Sequence, residues 1–109
     1  MATQKFTYTI KHPAGIAVTL FSINYKPHFK ETLDKNKEYS DGTYIIKGDL
    51  ELTSSKSSIS VRIEVVGEPN LKFSYNIKFN NKAVFPEDVE LTTSTEGVLN
   101  DTRKNIPTS

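Results

Sequence analysis

The chain contains no cysteine and no tryptophan, and a single methionine. Without cysteine there can be no disulfide, no thiolate nucleophile and no cysteine-ligated zinc or iron–sulfur centre. Small secreted domains often depend on disulfides, so their absence leans towards the cytoplasm or a protein exported by a bacterium. Alanine is scarce, four residues in 109, and no window shows a long helical stripe of apolar residues. The five glycines stand singly at 15, 42, 48, 67 and 97, so no glycine-rich loop is available to cradle phosphate. An excess of charge is also missing. Fourteen basic residues face 13 acidic ones, a net charge of +1, and the basic residues form no run with stacking aromatics, which argues against nucleic acid as a partner. The longest strongly apolar stretch, Ile16 to Ile23, is far too short to span a membrane. The first residues, Met1 to Lys5, lack the apolar core of a signal peptide.

What is abundant is β-forming material. Valine, isoleucine, threonine, tyrosine and phenylalanine together make 39 of 109 residues, side chains that suit a pleated, half-buried surface. Alternation of period two is clearest in two segments. Ile59, Val61, Ile63 and Val65 alternate with Ser60, Arg62 and Glu64. Leu71, Phe73, Tyr75, Ile77 and Phe79 alternate with Lys72, Ser74, Asn76 and Lys78. Each reads as one apolar and one wet face of an antiparallel sheet. Phe6, Tyr8 and Ile10 form a third row. Tyr44, Ile46, Leu50 and Leu52 form a fourth, interrupted by Gly48, which marks a bulge or a close approach. Ile16 to Ile23 reads as a central strand, apolar on both faces or turning a corner. Ala83 to Phe85 and Val89 to Thr93 are weaker candidates, the first returning through a tight turn at Asn80-Asn81.

Turn signals at Lys11–Gly15, Ser54–Ser58 and Gly67–Asn70 recur at the spacing of a sandwich or barrel. If strands 59–66 and 71–79 are hairpin neighbours, Val65 opposes Leu71, Ile63 opposes Phe73 and Glu64 meets Lys72. The charged segment Lys30 to Asp41 reads as a long connection with a helical turn near Phe29 and Leu33. Residues 94–109 read as a flexible tail.

Few residues are placed to do chemistry. His12 and His28 are the only histidines, and each lies beside a proline in a turn-like context. No Gly-x-Ser-x-Gly elbow accompanies them. Asp49 and Glu51 share what reads as a solvent face, beside Lys47. Asp34, Glu38 and Asp41 gather in the charged connection, but interleaved lysines and the wrong spacing fit no calcium loop. No catalytic residue, metal site or cofactor is expected. The distinctive feature is Asn24–Lys30, where Pro27 stiffens a loop holding Tyr25, His28 and Phe29. Rings beside polar donors suit a sugar face or a protein partner. The same rings could instead fold back and plug the end of the core.

The layout from residue 5 to 93 resembles immunoglobulin-like or jelly-roll sandwiches, without the cysteine and tryptophan hallmarks of antibody domains. No functional residue is carried over from that likeness. The expectation is an all-β, two-layer antiparallel sandwich of six to eight strands over residues 1–93. Its expected role is non-catalytic binding through end loops or an open sheet edge. A protein partner or a second copy is favoured. A lectin-like domain using Tyr25, His28 and Phe29 is the alternative, and a small hydrolase comes third.

Overall fold

A computed structural model describes residues 3–53 and 58–107. Along the chain these form β1 (Thr3–Pro13), β2 (Ile16–Ile23), β3 (Lys26–Phe29), α1 (Lys30–Lys35), β4 (Lys37–Ser40), β5 (Thr43–Thr53), β6 (Ser58–Gly67), β7 (Lys72–Phe79), β8 (Lys82–Ala83), β9 (Val89–Thr92) and β10 (Val98–Pro107). The fold is the two-layer antiparallel sandwich that the alternation predicts. One sheet runs β4-β5-β1-β7, with β8 and β9 both on the far side of β7; the other runs β10-β6-β2-β3. No helix among the described residues is long and apolar enough to cross a membrane. The polar loop expected at Ser54–Ser58 falls outside the described residues, except that Ser58 opens β6.

The alternating rows meet in the middle. Phe6, Tyr8 and Ile10 of β1, with Phe73, Tyr75 and Ile77 of β7, are buried against Ile59, Val61, Ile63 and Val65 of β6. Full burial of one such side chain stabilises the fold by roughly 1.5–3 kcal/mol. A file of rings crosses the interior from sheet to sheet. Phe85 contacts Tyr75 at 5.8 Å between centroids, Tyr75 contacts Phe21 at 5.6 Å, and Phe21 contacts Tyr8 at 4.6 Å.

Three expectations are corrected. First, β6 and β7 are not hairpin neighbours. β6 lies between β2 and β10, while β7 lies between β1 and the β8–β9 side of the other sheet. The turn after β6 is a crossing between sheets. Gly67 N–H donates to the Gly97 carbonyl at 2.7 Å, and Glu68 N–H donates to the Gly15 carbonyl at 2.9 Å. These bonds tie the turn to neighbouring crossings, where a hairpin would tie it to itself. Glu64 therefore never opposes Lys72; its neighbours across the sheet are Leu20 and Asn100.

Second, the segment expected as a flexible tail holds β10, paired with β6 from Val98↔Val66 through Thr102↔Arg62 to Pro107↔Ser58. Third, the charged connection is more structured than a loop. It carries α1, whose Leu33 is buried, and then β4, paired with β5 through Tyr39↔Tyr44. The helical turn expected there is present, but Phe29 stands at its N-cap and stays exposed.

Ile16 to Ile23 is the central strand expected, and a bulge explains its unbroken apolar character. Val18 opposes Val65 and Leu20 opposes Glu64, which leaves Thr19 as the extra residue. Its hydroxyl donates to the Glu64 carbonyl at 3.1 Å. The extra residue shifts parity, so Ile16 and Val18 point inward before it, and Phe21 and Ile23 after it. The Asn80-Asn81 turn forms as expected, both residues at positive φ (54° and 63°).

Gly48 marks a close approach. It lies directly across from Tyr8, and a Cβ there would overlap the Tyr8 ring and hydroxyl. Its own backbone is not left-handed, since it is absent from the positive-φ glycines 15, 42, 67 and 97. On backbone grounds alone, Gly48→Ala would stabilise the strand by about 0.5–1 kcal/mol. The Tyr8 ring should reverse the sign, giving a loss of about 1–3 kcal/mol in urea denaturation. In a Tyr8→Ala background the same change should be neutral or favourable; a loss of equal size there would contradict this packing.

Candidate functional site

The loop Asn24–Lys30 becomes a hairpin. Asn24 and Tyr25 both adopt positive φ, 50° and 67°, the pattern of a two-residue hairpin turn. Asn24 anchors it to the next strand. Its N–H donates to the Ser60 carbonyl at 2.8 Å, and its side-chain oxygen accepts from Ser60 N–H at 2.8 Å. Four residues then form β3, with Phe21↔His28 and Leu20↔Phe29 as cross-strand neighbours.

That geometry separates the three expected site residues. His28 opposes inward-facing Phe21, and its Nδ1 lies 2.7 Å from the Tyr8 hydroxyl. Burial, followed by the Asp49 charge, pushes the Tyr8 phenol up to about 12. The phenol therefore keeps its proton, and one hydrogen bond joins it to His28, its direction set by the His28 tautomer. Phe29, one residue on, faces the other way and is 60% exposed; Tyr25 at the turn is 88% exposed. His28 closes the core, while Tyr25 and Phe29 do not plug it.

His12 is buried on the inner face of β1. Its Nδ1 lies 2.7 Å from the Pro13 carbonyl, which only accepts, so this nitrogen carries the proton. Nε2 is enclosed without a partner among the described residues. The ring stacks on Tyr44, 5.4 Å between centroids. Both histidines are thus engaged, one with Pro13 and one with Tyr8. Asp49 is exposed and accepts from the Thr7 hydroxyl at 3.1 Å. Asp34 pairs with Lys30 at 2.5 Å and Lys37 at 3.2 Å. The Lys30 hydrogen bond is the largest of the effects that hold its carboxyl below the usual range. No group of three metal-ligating side chains occurs among the described residues.

Two surfaces that sequence reasoning passed over stand out. One is the open side of β10, a ten-residue strand at the end of its sheet. Its inward positions include Asp101 and Arg103, joined by an ion pair at 3.0 Å. The other is the outer face of the same sheet, where Tyr25 overhangs a cavity of about 270 Å³. The alternation of β10 was hard to recognise because charges occupy two of its inward positions. The outer face carried no motif, since it is assembled from three strands distant in sequence. Comparison with protein families, curated proteins and solved structures finds no match to this chain.

The histidines set a pH dependence. Burial is the main cause that lowers both His12 and His28 below their ordinary value of 6.5. The unfolded chain therefore takes up these protons first as pH falls. Stability is complete above the ordinary value and is lost as pH drops through it towards the lowered folded values. The urea midpoint should fall between about pH 7 and pH 5, and the fall should shrink when His12→Asn and His28→Asn are combined. A midpoint that rises on acidification over that interval would contradict the neutral, buried assignment.

Proposed function

We propose that this chain is a non-catalytic interaction module whose contact surface is the open edge of β10, and that its partner is a second copy of itself. The observation that carries the reading is the length of that edge. The other outer strands are short: β3 and β4 have four residues each, β8 has two and β9 four. β10 has ten, paired on one side only among the described residues. A row of unpaired backbone donors and acceptors is a template for another strand.

Charge order supports a second copy as that strand. Two β10 strands related by a two-fold axis at Thr102 run antiparallel. Asp101 of one then opposes Arg103 of the other, twice over, and Asn100 opposes Lys104. Centring the axis on Asp101 or Arg103 would instead set like charges together, which destabilises a pair. The same two charges disfavour strangers, because an apolar strand would take the Asp101–Arg103 ion pair out of water without adding a partner to either charge. The engagement of His12 with Pro13 and His28 with Tyr8 favours a binding role over a histidine-based hydrolase.

The contact is small, so association belongs to the weak, transient class. Sedimentation equilibrium at about 100 μM chain and above should show a monomer–dimer equilibrium. Asp101→Arg alone places two cations on the edge, and Arg103→Asp alone places two carboxylates there. Each variant should be monomeric by itself, and an equimolar mixture should form the heterodimer. A wild-type chain that stays monomeric throughout, or a mixture that fails to pair, overturns the reading.

A further inference from the structure

The outer face of the β10-β6-β2-β3 sheet carries a row of three residues in register. Ser22 of β2 lies beside Arg62 of β6, and Arg62 lies beside Thr102 of β10. A guanidinium is thus flanked on both sides by hydroxyl groups. Ser60 and Lys104 extend the group, and Tyr25 overhangs it; all six line the cavity of about 270 Å³. That is the small end of ligand cavities, room for one six-membered ring with a charged substituent. Among the described residues no carboxylate lines it. Glu64, the nearest acid described, holds one Arg62 nitrogen at 3.3 Å from the rim. Arginine has five N–H donors in a planar fork, so one such contact leaves others free for an oxyanion.

Tyr25 supplies the independent argument. A left-handed backbone costs an L-residue other than glycine roughly 1–2 kcal/mol, and this turn would accept glycine at that position. The ring offsets none of that cost by burial, being 88% exposed. No hydrogen bond or ring contact among the described residues accounts for a tyrosine at this position, which leaves the ring available to a ligand.

We infer that this face is a binding site for an acidic saccharide. The sugar's oxyanion, a carboxylate or a sulfate ester, is held by Arg62 and Lys104; its hydroxyls meet Ser22, Ser60 and Thr102; its ring lies against Tyr25. An exposed ring next to a bank of hydroxyls suits a cyclic polyol better than an extended acidic peptide. The site shares Thr102 and Lys104 with β10, whose open edge is the proposed dimer contact, but it does not rest on that contact, and its test reads ligand binding where the other reads mass.

The full chain, labelled for NMR, is titrated with glucuronate, N-acetylglucosamine 6-sulfate, neutral N-acetylglucosamine, inorganic sulfate and a hexaglutamate peptide. Shifts should centre on Tyr25, Arg62 and Thr102. Either charged sugar should bind at least about tenfold tighter than the neutral sugar or inorganic sulfate, in the millimolar range or better. Whichever of the two binds tighter identifies the oxyanion. Arg62→Gln should weaken binding about tenfold or more, Tyr25→Gly about threefold or more, and Glu64→Gln should strengthen it severalfold by freeing the guanidinium. Tyr25→Gly should leave thermal stability unchanged or raised, which separates lost binding from lost fold. The inference is overturned if neither charged sugar shifts these residues at about 10 mM, if hexaglutamate binds as tightly as the sugars, or if Glu64→Gln weakens binding.

Discussion

The arrangement of this molecule depends on one crowded corner. Three crossings between the sheets pass through Gly15, Gly67 and Gly97, and their backbones touch. A Cβ on Gly67 would collide with the Gly15 carbonyl, and one on Gly97 with the Gly67 carbonyl. All three take positive φ, which glycine adopts without the steric penalty that a side chain brings. Thr93, buried beside them, donates its hydroxyl to the Glu68 carbonyl at 2.8 Å and accepts from Leu71 N–H at 2.9 Å. This knot sets β6 between β2 and β10. It therefore sends β10 to the margin of its sheet and determines which backbone groups are left open there.

Inside, the limiting element is the Tyr8 ring. It fills the space that Gly48 vacates, packs on Phe21 and bonds to His28. Drawing His28 inward settles the orientation of β3, because consecutive residues of a strand point to opposite faces. Phe29 must then face outward, and the turn before it holds Tyr25 over the outer surface. The features assigned to recognition follow from packing constraints elsewhere in the fold.

Much of this was legible in the residues. The rows at 59–65 and 71–79, the Asn80-Asn81 turn and the close approach at Gly48 all follow from period two and from turn chemistry. Parity, however, says which face a side chain takes and not which strand lies next to it. A crossing at Gly67–Asn70 and a hairpin there share the same alternation, and only the bonds to Gly97 and Gly15 distinguish them. β10 was hidden because Asp101 and Arg103 stand at inward positions, and Asn105, at a φ of 57°, breaks the period once more. Tyr25, His28 and Phe29 look like one cluster on the chain, yet a turn and a one-residue step divide them between two surfaces. The Ser22–Arg62–Thr102 row spans three strands, and no local spacing could have announced it.

The most direct measurement of the β10 assignment is amide hydrogen exchange along that strand as a function of chain concentration. In dilute solution, protection should alternate residue by residue, slow where the amide bonds to β6 and fast where it faces the open side. As concentration rises, the fast amides around Thr102 should slow until the alternation disappears. Alternation that persists unchanged at every concentration would contradict the account, and uniformly fast exchange would show that β10 does not dock on β6 at all.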